Sequence, residues 1–173
     1  MATLHHNISG ELAQELIAPG DNIIVSRISF ANIQKISNCK LDLYIEKKLS
    51  GRFYLLRHVD LQQGATLIYD NAVRFSTATD EFGLYIKLTD GEPFTITGSI
   101  DVTGTNVNVP GTNTTFLSEL SVGDDIVVSS ETRTIAAITS DTAATVTAAW
   151  GSDLANDTTP DCYPTALVDV IIQ

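Results

Sequence analysis

The strongest constraint on this chain is a two-residue alternation of apolar and polar side chains, repeated in short runs between turn residues. Residues 22–32 read NIIVSRISFAN, placing Ile24, Ser26, Ile28 and Phe30 on one face and Val25, Arg27 and Ser29 on the other. Residues 40–46 put Leu41, Leu43 and Ile45 opposite Asp42, Tyr44 and Glu46. Residues 53–59 put Phe53, Leu55, Arg57 and Val59 opposite Tyr54, Leu56 and His58, and residues 84–88 put Leu84, Ile86 and Leu88 opposite Tyr85 and Lys87. A period of two is the period of a strand. A charged hairpin loop at 47–51, the turn Gln62-Gln63-Gly64 and a strand at 66–69 separate these runs. Six or so strands with short polar turns predict an antiparallel β-sandwich. Residues 1–22 are expected to form a leading strand or an extended arm ending at Pro19-Gly20, because Glu11–Ile17 is too short for a stable isolated helix.

The second half reads as strands of a different kind. Residues 94–102 are expected as its first strand; over residues 110–150, a Gly-Asp-Asp turn precedes Ile126-Val127-Val128, and a polar corner at Ser129, Ser130 and Glu131 leads to a strand at 132–138. Another strand, 143–149, follows the corner Ser140-Asp141. Strands this short and evenly spaced predict a small antiparallel sheet that curls on itself. Its expected core is Phe94, Ile96, Ile100, Val102, Phe116, Leu120, Ile126, Val128, Ile138, Val146 and Trp150. Gly98, Gly104 and Gly111 are expected to punctuate strands and turns with no helix after them, so no phosphate cradle is predicted.

Charge divides the chain in the same place. Residues 1–93 hold nine of the ten basic residues against eleven acidic ones, a balance of −2, whereas residues 94–173 hold Arg133 alone against ten acidic ones, a balance of −9. Composition shifts of this kind mark domains. The total of −11 argues against nucleic acid, whose phosphates need basic partners, and against anionic membrane surfaces. No apolar run approaches the ~20 residues of a membrane-spanning helix. The opening residues lack the basic start and apolar middle of a signal peptide, which sets the expectation of assembly in a cytoplasm.

The motifs carry a resemblance. Gly-Thr-x-Thr-x-Phe from Gly111, Leu-x-x-Gly-Asp from Leu120, the Glu-Thr-Arg strand from Glu131 and Ile-Thr-Ser-Asp-Thr from Ile138 resemble a small β-domain common in bacteriophage virion proteins. The order over residues 16–90 is similar to a β-sandwich recurrent in phage virion accessory proteins. It runs Ala-Pro-Gly, an Ile-rich strand ending in Ala-Asn, Leu-Asp-Leu-Tyr-Ile, Tyr-Leu-Leu, Val-Asp-Leu-x-x-Gly-Ala-Thr-Leu, then Leu-Tyr-Ile-Lys-Leu. Relatives of that sandwich end in a strand of alternating valines, which is absent after Leu88 and present at residues 166–172. The economical account is a sandwich of residues 1–93 plus 163–173, with residues 94–162 a small acidic, Thr-rich β-barrel inserted before its last strand. Such insertions cost little loop entropy. The alternative is two domains in series, with 163–173 closing the barrel.

Residues able to do chemistry are sparse. His5 and His6 are adjacent in the first segment and cannot both reach one metal from an extended strand, and His58 reads as a partly exposed sheet histidine. Cys39 and Cys162 are too few for a disulfide scaffold and are expected as reduced thiols. Asp153, Asp157, Asp161 and the Asp124-Asp125 pair lack the ladder of a calcium loop, and capping of turns is their expected role. Arg133 is expected to anchor a carboxylate network or a subunit contact. No catalytic, cofactor-binding or metal-binding residue is therefore assigned. Tyr44, Tyr54, Tyr69, Tyr85 and open sheet edges remain as contact surface, with no aromatic pair forming an obvious sugar platform.

The resemblance thus implies a non-enzymatic virion structural protein, above all a capsid decoration (cement) protein. Its expected partners are its own copies, as trimer or dimer, and virion proteins such as the major capsid protein. A neck, tail or baseplate component, or a carbohydrate- or receptor-binding appendage, is the alternative.

Overall fold

A computed structural model describes residues 3–21, 23–47, 51–74 and 82–173. The expected strand start at Asn22 and the centre of the expected loop at 47–51 lie outside the described residues. The chain is nearly all antiparallel β, as its alternation predicts. In order, the strands are β1 (Leu4–Ser9), β2 (Gln14–Ile17), β3 (Ile24–Val25), β4 (Ile28–Asn32), β5 (Cys39–Lys47), β6 (Gly51–Leu61), β7 (Thr66–Tyr69), β8 (Val73–Arg74) and β9 (Phe82–Thr89). There follow β10 (Phe94–Thr95), β11 (Ser99–Val102), β12 (Asn108–Thr112), helix α1 (Phe116–Glu119), β13 (Asp125–Val128), β14 (Glu131–Ser140), β15 (Ala143–Val146), β16 (Leu154–Asp157), β17 (Asp161–Tyr163) and β18 (Leu167–Ile172).

Two compact units emerge: Met1–Gln34, Asn38–Asp90 and Ala166–Gln173 form one, and Gly91–Thr165 with Lys35–Ser37 the other. In the first, β1-β18-β4-β7 and β2-β9-β5-β6 are four-stranded sheets, and β3-β8 is a two-stranded ribbon. Both four-stranded sheets feed one apolar cluster that includes Ile8, Leu16, Ile28, Phe30, Leu41, Leu43, Leu84, Ile86, Val168 and Val170. Strand β18 is central to its sheet, pairing with β1 along Leu4↔Ile172 to Ser9↔Leu167 and with β4 along Ile28↔Ile172 to Asn32↔Val168.

Three expectations need correction here. The first segment is neither one strand nor a free arm, because β1 pairs with β18 and β2 with β9. The run at 22–32 is two strands. At Ser26 and Arg27 both N–H groups donate to Gln173 O (2.7 and 3.1 Å), so the chain leaves β8 and joins β18 there. Ile24 is consequently 53% exposed while Val25 is buried, the reverse of the expected faces. In the second half, the segment from Phe94 to Val102 is broken at Gly98, whose φ is +90°.

In the second unit one sheet runs β10-β17-β13-β14-β15-β12-β11-β16. Ile96 donates its N–H to Pro160 O (2.7 Å), which carries the β10–β17 ladder one residue beyond Thr95↔Asp161. The core contains Ile96, Ile100, Val102, Val109, Phe116, Leu120, Ile126, Val128, Ile135, Val146 and Trp150, with Phe94 and Ile138 partly buried against it. The four-residue helix α1, five residues beyond Gly111, was not expected, and it exists to bury Phe116 beneath the sheet.

Candidate functional surface

The residues best placed to act together lie on the face of β2-β9-β5-β6 that points away from the core. Alternation along β5 turns Leu41 and Leu43 inward and Asp42, Tyr44 and Glu46 outward. In register, Tyr44 stands opposite Tyr54 of β6 on one side and Tyr85 of β9 on the other. Cross-strand partners on one face touch, so three tyrosines form a row. The Tyr44 ring stacks on Tyr85 (centroids 5.8 Å, 16°) and tilts against Tyr54 (5.5 Å, 52°).

Two guanidinium groups complete the row. Arg52 lies 4.8 Å from the Tyr44 ring centroid and is paired to Glu46 at 2.7 Å; Arg57 lies 5.0 Å over Tyr54. Each aromatic or cation–π contact of this kind is worth about 0.5–1.5 kcal/mol. Together they cover Tyr44 to 1% exposure on an outward face, and among the described residues its hydroxyl has no hydrogen-bond partner. Tyr54 remains 42% exposed. Burial pushes the Tyr85 phenol up to about 12, helped by the hydrogen bond from its hydroxyl to Glu15 (2.9 Å). Burial also raises Tyr44, opposed by Arg52, while the hydrogen bond to Glu46 raises Arg52.

Strict alternation had put Arg57 on the face opposite Tyr54. The pairing of β5 with β6 instead shifts twice, between Leu41 and Leu43 and between Leu43 and Tyr44. His58 takes φ 50° within this irregular stretch and donates its N–H to Asp42 Oδ1. A bulge re-aims the side chains beside it, which brings Arg57 over Tyr54.

The residues considered for chemistry are dispersed. His58 Nδ1 lies 3.8 Å from Asp42, on an exposed strand. His5 and His6 sit on opposite faces of β1. Cys39 and Cys162 are both free and buried. Burial raises the Cys39 thiol to about 11 with help from Asp90, and raises Cys162 further with help from Asp124. Among the described residues no group of three or more His, Cys, Asp or Glu is arranged to hold a metal ion.

Of the acidic residues expected to cap turns, Asp124, Asp153 and Asp157 accept backbone N–H groups, whereas Asp125 and Asp161 accept threonine hydroxyls. Asp153 accepts from Gly104 N (2.7 Å), Asp161 from Thr95 Oγ1 (2.9 Å), and Asp124, fully buried, from Ser121 N and Thr165 N (2.7 and 3.0 Å). Asp125 accepts from Thr134 Oγ1 at 2.6 Å. Asp157 accepts from Ser129 N (2.5 Å) and Thr159 N (2.9 Å); these bonds outweigh its burial and hold its carboxyl below the usual range. Arg133 pairs with Glu131 (2.9 Å), donates to Ala149 O (2.9 Å) and Thr132 O (2.7 Å), and lies 5.4 Å over Trp150. The local carboxylate contact expected of Arg133 is present as its pair with Glu131.

Each tyrosine of the row is visible in the sequence; their adjacency is not, because it depends on strand register. No family model, no curated protein and no solved structure matches this chain.

Proposed function

We propose that this chain is a non-enzymatic structural protein of a bacteriophage virion, a decoration (cement) protein whose β-sandwich contacts the shell and carries an inserted small β-barrel. The observation that carries the reading is the tyrosine–arginine row on an outward sheet face. Tyr and Arg are the residues that dominate binding energy at protein interfaces, and a rigid sheet presents them at little entropic cost. The motif resemblance of both halves supplies the virion context, and the two sheets sharing one core support the sandwich. A net charge of −11 keeps such a protein off nucleic acid and anionic lipid while it awaits assembly in the host cytoplasm.

A sugar-binding reading is weaker on the same face. Sugar stacking needs an open ring face, whereas Arg52 covers Tyr44 and Arg57 covers the more exposed Tyr54. The test is mass spectrometry of gradient-purified particles followed by a cryo-EM map. The expected result is stoichiometric chain on the capsid, with Tyr54→Ala and Arg57→Ala lowering its occupancy. Density at the neck, tail or baseplate would move the protein to that station. Absence from particles would end the virion reading.

A further inference from the structure

We infer that β1 is a self-association edge, at which two copies of this chain join their β1 strands antiparallel to make one continuous sheet. The edge strands of the two units are unequal in how they discourage pairing. Native edges are normally blunted by charge, proline, bulges or shortness. β6 carries Arg52, Arg57 and Asp60 and two register shifts; β2 is shifted between Glu15 and Ile17; β10 has two residues; β16 pairs across a shift. β7 has four residues. β1 has none of these devices. Its six residues, LHHNIS, pair with β18 without a shift and include no Lys, Arg, Asp, Glu or Pro. Among the described residues no strand pairs with its other side.

The side chains of β1 specify what pairs there. Ile8 lies in the core with Leu4 packed against it, so Leu4, His6 and Ile8 face inward and His5, Asn7 and Ser9 face solvent. Pairing must match inward with inward residues, since a slip of one residue inverts the faces. The sequence meets that rule against itself. In the register that sets His6 opposite His6 of a second copy, Leu4 meets Ile8, Ile8 meets Leu4, and His5 meets Asn7. The centre of that register is where the strand has an unmet need, because His6 Nε2 is buried and, among the described residues, without a hydrogen-bond partner. A second imidazole across the two-fold axis supplies one, one ring donating Nε2–H and the other accepting. A recess of about 380 Å³ is lined by His5, His6 and Asn7 of β1 with Asp169, Val170 and Ile171 of β18. With no charge of its own, the edge selects by apolar pattern and backbone bonds, and an isologous pair follows.

The pairing is measured on the free 173-residue chain, so it stands or falls separately from the virion reading. Sedimentation velocity at about 100 μM is expected to show a dimer that tightens as salt rises from about 0.05 to about 0.5 M, because two chains of −11 repel and salt screens them. His6→Lys and His6→Glu, each placing like charges at the two-fold axis, should each weaken the dimer by ~100-fold or more. An equimolar mixture of the two variants should restore it. Hydrogen exchange on the wild-type chain gives a readout independent of whether the variants fold, with β1 amides gaining protection as concentration rises. A wild-type monomer, a dimer indifferent to both substitutions, variants that fold but fail to pair when mixed, or β1 exchange independent of concentration would each overturn the inference.

Discussion

Burial decides how the two thiols behave. Cys39 is 3% exposed and Cys162 0%, and both hold their protons well above the usual thiol range. Thiolate is the reactive species, so neither should react with an aromatic disulfide reagent at pH 8 in the folded protein, and both should react at once in denaturant. Fast reaction of either thiol in the native state would contradict the burial. Tyr85 offers a second check. Its folded value of about 12 lies above the ordinary 10.0, so its contribution to stability is complete below pH 10 and is lost as pH rises toward 12. Alkaline titration at 295 nm should show late phenols, and Tyr85→Phe should reduce that phase by one tyrosine. Single residues were legible where their environment is local, as with the thiols and the bonding of Arg133. Arg57 was not, because a bulge reverses the face on which strict alternation places it.

Elements were legible to the extent that one strand uses one face throughout. β5 and β9, with unbroken alternation, read directly from their leucines and isoleucines. The segment from Phe94 to Val102 did not, because Gly98 interrupts it in a conformation that alternation does not reveal. The turn between β13 and β14 shows the same limit. Ser129 and Ser130 both have positive φ (47° and 75°), the requirement of a two-residue hairpin turn that usually takes Gly or Asn. The hydrogen bonds of Ser129 N and Oγ to Asp157 hold a serine there instead, a partner 28 residues away. Gly98 has no such substitute. A Cβ at that position would meet the backbone of Thr112 and Asn113, which cannot turn aside as a side chain would. Gly98→Ala should therefore destabilise the chain by at least about 1–3 kcal/mol from the backbone conformation alone, with the collision added. Urea unfolding measures it, and a change under 0.5 kcal/mol, the range of ordinary surface substitutions, would show the bend to be tolerant.

The first unit is completed by the last strand of the chain, and that arrangement makes its own demands. Asp90 Oδ1 accepts the Ala166 N–H at 2.7 Å, and Ala166 O accepts from Gly10 N at 3.0 Å. The points where the chain leaves and re-enters this unit are therefore neighbours. Replacing residues 91–165 with a turn of about 2–5 residues should leave a chain that folds and unfolds cooperatively, since Asp90 and Ala166 already lie within hydrogen-bond distance and a short link spans them. The cost falls on Lys35–Ser37, which lose the unit to which they belong. A chain ending at Thr165 makes the opposite case. It lacks β18 and with it the buried Val168, Val170 and Ile172. At about 1.5–3 kcal/mol per buried side chain that loss is about 5–9 kcal/mol, before counting the backbone bonds to β1 and β4. Domains of this size hold only about 5–15 kcal/mol in all. The truncated chain should lack the cooperative unfolding transition of its first unit, and adding a peptide of residues 166–173 in excess should restore it. Circular dichroism with thermal melting reads both variants. A folded truncation would mean that β1 and β4 pair without β18, and an unfolded deletion that the first unit needs the second in order to form.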